Sequence, residues 1–255
     1  MKILLISDIH GNWPALQAVL QAEPDADQIL CLGDLVNYGP QPAECVRWAI
    51  DVGATGRFIQ GNHDRAFGCD EAHHCSPAYE LRAEAVQEAT RPLLTPGMKR
   101  FLAGLRPLQR FSLAGARCVA CHATPADPLY HYLGEQSGVS LWESELVLAG
   151  HPDFLFLGHT HAPMKTQFPG TLVVNPGSVG QPKDGDPRAA YGVWIDGMVS
   201  LRRTAYDVEQ TIRAFSGLKL EPRVVSSLSE VLRTGGDLSP EHTQWTFAKQ
   251  TYEKT

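Results

Sequence analysis

Two aspartates, four histidines and one asparagine stand where short apolar runs of this chain give way to glycine and polar residues. They are Asp8 and His10 in ISDIHGN, Asp34 in CLGDL, Asn62 in IQGNHD, His122 in VACHA, and His159 and His161 in LGHTH. Carboxylate, amide oxygen and imidazole are all metal donors. Imidazole suits zinc, iron and nickel, and carboxylate also suits manganese. Seven donors exceed what one tetrahedral ion takes and match two ions with positions left open. A carboxylate such as Asp34 can bridge such a pair. Two ions roughly 3.5–4 Å apart can activate a water and clamp both sides of a phosphoryl displacement.

Donors so far apart in sequence need a framework that gathers them. Ile3–Ile6, Ile29–Leu32, Phe58–Gln60, Cys118–Cys121, Phe154–Leu157 and Leu172–Val174 are near-continuous apolar runs, the pattern of strands covered on both faces. Tyr191–Ile195 and Val199–Leu201 flank Asp196-Gly197, a two-residue hairpin signal. Helices are predicted between the runs. Asn12 caps one that begins at Trp13 with Pro14 in its first turn, and others cover Ala43–Val52, Ala78–Thr90, Met98–Leu105 and Ser140–Leu148. Every donor follows the carboxyl end of a predicted strand, the edge at which open α/β sheets bind ligands. Residues two apart on an extended chain share a side, so Asp8 and His10 form one converging pair and His159 and His161 another. Asn175-Pro176-Gly177-Ser178 reads as a tight turn supporting these strands.

The bulk composition is compatible with this and narrows the alternatives. The chain has 255 residues, 43% hydrophobic and 20% charged, with a net charge of −6. No basic patch argues for nucleic acid or an anionic membrane, and no run approaches the roughly 18 apolar residues of a membrane span. The N-terminal apolar run is too short for the core of a signal peptide, which predicts a cytoplasmic protein whose six cysteines are reduced thiols. One domain over 1–255 is expected, with a mainly helical insertion at 66–110 that overhangs the site and a mainly helical C-terminal extension at 205–255.

DIH (Asp8–His10), GD (Gly33-Asp34), GNHD (Gly61–Asp64), the strand-end His122 and GHTH (Gly158–His161) occur in the order found in the calcineurin-like metallophosphoesterases, which this chain resembles over roughly residues 1–195. NPGSVGQP (Asn175–Pro182) is similar to the segment after the last ligands in small bacterial and archaeal members. The resemblance implies an α+β fold, a four-layer αββα sandwich of two mixed β-sheets flanked by helices. It implies two divalent ions, Mn, Fe, Ni or Zn, and hydrolysis of phosphodiesters or phosphomonoesters by a hydroxide bridging the ions. Asp8, His10 and His161 would hold one ion, Asn62, His122 and His159 the other, and Asp34 both. His63 would assist the leaving group and Asp64 would orient His63. The expected partner is a small phosphoester, nucleotides included, with no membrane or nucleic-acid partner and no oligomeric state specified.

The chain departs from the pattern in GDLVNYG, which lacks the phosphate-binding Arg of protein Ser/Thr phosphatases and diadenosine tetraphosphatases and carries Asn37 and Tyr38 nearby. Arg65 and Arg188 are the arginines expected to contact phosphate in its place, since a guanidinium grips phosphate bidentately. Without an obvious cluster of cations, a diester is favoured over a dianionic monoester. Four competing readings remain. Each donor taken singly is an ordinary cap or turn residue, and the fold could serve as a catalytically silent scaffold. Cys118-Val-Ala-Cys121-His122 spells a haem-attachment pattern, but it lies on an apolar strand. Cys69, His73, His74 and Cys75 could be a zinc site, although a polar loop is the simpler account.

Overall fold

Alternation along β1 (Lys2–Ile6) sets the layering. Ile3 and Leu5 enter one core, while Leu4 and Ile6 enter another on the opposite face of the strand. The computed structural model describes residues 1–75 and 77–236. β1 pairs in parallel with β2 (Gln28–Cys31), which pairs in parallel with β3 (Gly56–Phe58). On its other edge β1 meets β9 (Ala189–Ile195) antiparallel, and β9 meets β10 (Met198–Thr204). The hairpin between β9 and β10 turns at Asp196 (φ 48°) and Gly197 (φ 88°), the two positive dihedrals of a type I′ turn.

The second sheet runs in the order β4 (Leu108–Leu113), β5 (Ala116–Cys121), β6 (Phe154–Phe156), β8 (Thr171–Asn175), β7 (Met164–Phe168). Its strands β5, β6 and β8 are mutually parallel and its two edges antiparallel. The sheets meet through Leu5, Leu32, Ala120, Phe156, Val174 and Trp194, all buried. On the far face of the first sheet lie α1 (Trp13–Ala22), α2 (Pro42–Val52) and α5 (Pro96–Gly104), which bring Leu16, Val19, Val46 and Leu102 to the core of Leu4 and Ile6. On the far face of the second, α6 (Val139–Ala149) packs Trp142 and Leu146 on Val119, Leu155 and Val173. The layers are therefore helices, sheet, sheet, helix, as the resemblance implies. Phe156 is fully buried between the sheets. Phe156→Ala should cost ~3–5 kcal/mol, read as a lower midpoint in denaturant unfolding with an unchanged far-UV spectrum.

The capping expectation at Asn12 holds, since its side chain accepts from the Ala15 N–H at 3.2 Å. Two strands escape the sequence reading, β4 and β7, and both are edges of the second sheet. Within 66–110 lie the end of α3 (Asn62–Cys69), α4 (Pro77–Thr90), α5 and the start of β4. In the expected C-terminal extension, α7 (Val208–Ala214) and α8 (Pro222–Thr234) pack with α4 around Ala83, Val86, Phe215, Val224 and Leu228. Residues 237–255 of that extension lie outside the described residues. Among the described residues no helix is long and apolar enough to cross a membrane.

Candidate metal centre

The donors converge, but not through the pleat of a strand. β1 ends at Ile6 and β6 at Phe156, so Asp8, His10, His159 and His161 all lie beyond extended backbone, and the expectation of two converging strand pairs fails on this point. Asp8 (φ 53°), His10 (49°), Asp34 (58°), His159 (67°) and His161 (61°) are instead left-handed. That conformation costs a non-glycine residue on the order of 1 kcal/mol or more and persists where surrounding contacts over-determine it. Here the blocks hold one another. The N–H groups of Asp8, His10 and Gly11 donate to the carbonyls of Gly33, Asp34 and Leu35, and the carbonyl of Asp8 accepts from Gly180 N–H and Ser178 Oγ. Gly61 and Gly158 permit the close approach: a Cβ on Gly61 would overlap Asp34, and one on Gly158 would overlap Ser7.

Each carboxylate is anchored by one oxygen and turned inward with the other. Asp8 Oδ2 accepts the His159 N–H at 3.1 Å, while Oδ1 is buried with no hydrogen-bond partner, 3.3 Å from His161 Nε2 and 3.8 Å from His10 Nε2. Asp34 Oδ1 accepts the His63 N–H at 2.9 Å, and Oδ2 lies 3.2 Å from His122 Nε2 and 3.7 Å from His10 Nε2. Asn62 follows the same logic. Its amide Nδ2 donates to the His73 carbonyl at 2.6 Å, and Oδ1 stands 3.1 Å from His122 Nε2.

The imidazoles are oriented by backbone carbonyls, which only accept. His10 Nδ1 donates to Val36 O (3.0 Å), His122 Nδ1 to Leu32 O (2.6 Å) and His161 Nδ1 to Gln181 O (2.6 Å). With a proton held on Nδ1, each Nε2 faces the cluster. His10 Nε2 and His161 Nε2 are 3.1 Å apart. Lone pairs and a partnerless carboxylate oxygen packed together in this way are a donor set for cations. Two overlapping groups result, Asp8–His10–His161 and Asp8–Asp34–His122. His159 is set apart. Its ring lies 4.9 Å from that of His122 and stacks on Tyr132, while its Nε2 meets the Tyr130 carbonyl at 3.3 Å.

The charge states of three of the four rings match the donor role. Burial lowers His10 to about 4 and His159 to about 3, and holds His161 well below its ordinary value, so these rings are neutral near pH 7 and free to ligate. Burial opposes ionisation of Asp34, but His122 and His63 beside it hold its carboxyl well below the usual range. His122 is desolvated as well, yet the Asp34 carboxylate raises it to about 9, so its Nε2 gives up a proton on taking an ion. Burial pushes Asp8 up to about 6.

His63 sits at the edge of the cluster, with its ring 5.3 Å from His10 and stacked at 5.2 Å on His73 of the 66–110 segment. The expected partner of His63 is corrected. Asp64 accepts three backbone N–H groups, from Asp34, Leu35 and Gly61, because it lies in the first turn of α3 and faces the CLGDL loop. The residue that meets His63 Nδ1 is Asn37, at 2.8 Å. Asn37 Oδ1 accepts the Tyr38 N–H, which turns Nδ2 toward His63 and makes His63 Nδ1 the acceptor. The proton of neutral His63 is then on Nε2. Burial holds its pKa well below the ordinary value. Asp64→Asn should lower stability by about 2 kcal/mol, since an amide nitrogen would face backbone donors. Denaturant unfolding reads that loss.

Arg65 and Arg188 are corrected too. Arg65 makes a two-point ion pair with Glu71 at 2.6 and 2.9 Å, and Arg188 pairs with Asp186 at 2.6 Å, both at the surface. A guanidinium with a neighbouring carboxylate has little left for phosphate. Cys118 and Cys121 are buried free thiols on β5, and Cys69, His73, His74 and Cys75 form no donor cluster among the described residues. Lys183, unremarked in the sequence, places Nζ 3.5 Å from His161 Nε2.

Three comparisons bear on this geometry. Residues 1–196 match the family model described as a calcineurin-like phosphoesterase superfamily domain. An uncharacterized protein of Methanocaldococcus jannaschii is 29% identical over 82% of this chain and 89% of its own, and phosphodiesterase YfcE of Escherichia coli is 29% identical over 79% and 91%. Among solved structures, a metallophosphoesterase from Sphaerobacter thermophilus superposes with a TM-score of 0.74 at 28% identity, covering 92% of this chain and 99% of that one.

Proposed function

The chain belongs to the calcineurin-like phosphoesterase superfamily, and from that premise we propose that it hydrolyses phosphodiesters at a pair of divalent metal ions held by the Asp8–His161 cluster. The observation that carries this reading is the inward turn of the donors. Three Nε2 atoms and one oxygen each of Asp8, Asp34 and Asn62 face a common buried centre, while every other hydrogen-bonding atom of those six side chains has a partner elsewhere. Asp8, His10 and His161 hold one ion in this reading and Asn62 and His122 the other, with Asp34 shared. His159 belongs with the second group through its place beside His122. Mn, Fe, Ni and Zn are all compatible with such donors.

When bound, the ions supply Lewis acidity and an activated water at neutral pH. The protein's own part lies in position and proton placement. Carbonyls of Val36, Leu32 and Gln181 fix the ring orientations, so the donors need no reorganisation on loading. His63 directs its Nε2–H at the departing oxygen as a hydrogen-bond donor that stabilises the charge developing there, and Asn37 keeps that hydrogen on Nε2 by donating to Nδ1. Diesters are preferred because one negative charge needs little help from cationic side chains, and relatedness to a phosphodiesterase supports the same choice.

Elemental analysis of purified protein, together with turnover of bis(p-nitrophenyl) phosphate under added Mn, Fe, Ni or Zn, tests this directly. Two ions per chain and metal-dependent release of p-nitrophenol are expected. Two ions with no turnover under any of these metals would favour a silent scaffold, and a chain that takes up none would end the proposal.

A further inference from the structure

Building on the phosphoesterase reading, we propose that Lys183 is the cation that binds a non-bridging oxygen of the substrate phosphate. The cations around the site differ in what already engages them. Arg65 is paired with Glu71 and Arg188 with Asp186, and Arg203 pairs with Asp184 and Asp186. Those contacts consume the two acids that follow Lys183 in the chain. Among the described residues no carboxylate makes an ion pair with Lys183. Its Nζ instead stands 4.2 Å over the Tyr79 ring and 5.7 Å from that of Tyr38, and 3.5 Å from His161 Nε2.

The loop that carries Lys183 is built to hold it there. Gly185 N–H donates to the Gly235 carbonyl at 2.9 Å, and the Tyr79 hydroxyl donates to the Gly236 carbonyl at 3.0 Å. Gly236 (φ 111°) lies so close to Lys183 that a Cβ there would overlap the lysine backbone. Tyr79 of α4 thus stands against the ammonium and the turn after α8 braces the lysine backbone, and the aromatic faces of Tyr38 and Tyr79 stabilise its charge without an ion pair.

An ammonium group beside a cluster that collects divalent cations is repelled by them unless an anion lies between. The substrate phosphate is that anion. His161 Nε2 is one of the inward-facing donors, so Nζ is already at the rim of the centre, within reach of an oxygen presented there. Lys183 thereby fills the role expected of Arg65 or Arg188. It gives a reason, specific to this chain, for a lysine inside the segment that follows GHTH, and it assigns the helical C-terminal elements a part in substrate binding.

The test uses full-length protein loaded with manganese: wild type, Lys183→Met and Lys183→Arg. Metal content is measured by elemental analysis and inorganic phosphate binding by calorimetry. The expected result is equal manganese in all three, a phosphate Kd at least tenfold weaker in Lys183→Met, and partial recovery in Lys183→Arg. KM for bis(p-nitrophenyl) phosphate should rise in parallel while kcat changes less. Phosphate binding within twofold of wild type in Lys183→Met would overturn the assignment. So would loss of manganese from Lys183→Met, because the lysine would then serve to hold His161. Should Lys183→Met fail to fold, Lys183→Gln takes its place in the same comparison. A wild type that binds neither manganese nor phosphate would sink the phosphoesterase reading itself, an outcome distinct from a wild type that binds both and a variant that binds both equally.

Discussion

Asp34→Asn should strip both ions from the protein together and lower kcat/KM for a diester roughly thousandfold, equivalent to ~4 kcal/mol of lost transition-state stabilisation. The substitution is isosteric, and Oδ1 can still accept the His63 N–H as it does now at 2.9 Å. What changes is the inward atom. Oδ2 lies 3.2 Å from His122 Nε2 and 3.7 Å from His10 Nε2, midway between the two donor groups. An amide nitrogen there presents hydrogens where a cation needs an electron pair, and the negative charge that balances two cations is gone. His122 loses the carboxylate that raises it to about 9. Stoichiometry by elemental analysis across a metal titration checks this. Cooperative loss of both ions is expected, whereas a variant that keeps one ion at wild-type affinity would show that Asp34 belongs to one site alone.

His63→Ala should do the opposite, retaining both ions while losing about 10²–10⁴ of turnover. The ring of His63 is not among the groups that could hold a metal, and its contacts are with Asn37, His10, Tyr38 and His73. Its backbone N–H, which anchors Asp34, survives the substitution. Elemental analysis beside steady-state kinetics separates the two effects. The deficit should also shrink for substrates with better leaving groups, since an oxygen that departs readily needs the Nε2–H hydrogen bond less. Loss of metal in this variant would make His63 a ligand and remove it from the leaving group.

How much of this was legible in the sequence depended on what sets each feature. Buried runs such as Ile3–Ile6 and Phe154–Leu157 announce themselves because both faces of a central strand are apolar. β4 (LQRFSL) and β7 (MKTQF) do not, since an edge strand keeps polar residues on its solvated side. The donors were readable by residue type and by their place after strands. Their orientation was not, because it comes from the backbone carbonyls of Val36, Leu32 and Gln181, whose positions follow from tertiary packing. The left-handed turns at Asp8, His10 and His161 likewise leave no mark in composition.

The polar partners were least legible. The resemblance makes Asp64 the orienter of His63, but the first turn of α3 points its carboxylate at the backbone of Asp34 and Leu35. Asn37 stood out only as a departure from the family pattern, and its contact with His63 depends on the fold of the CLGDL loop. Arg65 and Arg188 drew attention by chemistry, yet each has an acidic neighbour in sequence, Glu71 and Asp186, that claims it. Those nearby acids were a signal available from the start. Lys183 carried none beyond its place two residues after Gln181.

The most direct test of the central claim is an anomalous-difference map from crystals of the manganese-loaded protein. Two peaks roughly 3.5–4 Å apart are predicted, with Asp34 between them, Asp8, His10 and His161 around one, and Asn62 and His122 around the other. A single peak, or peaks lying away from Asp34, would contradict it.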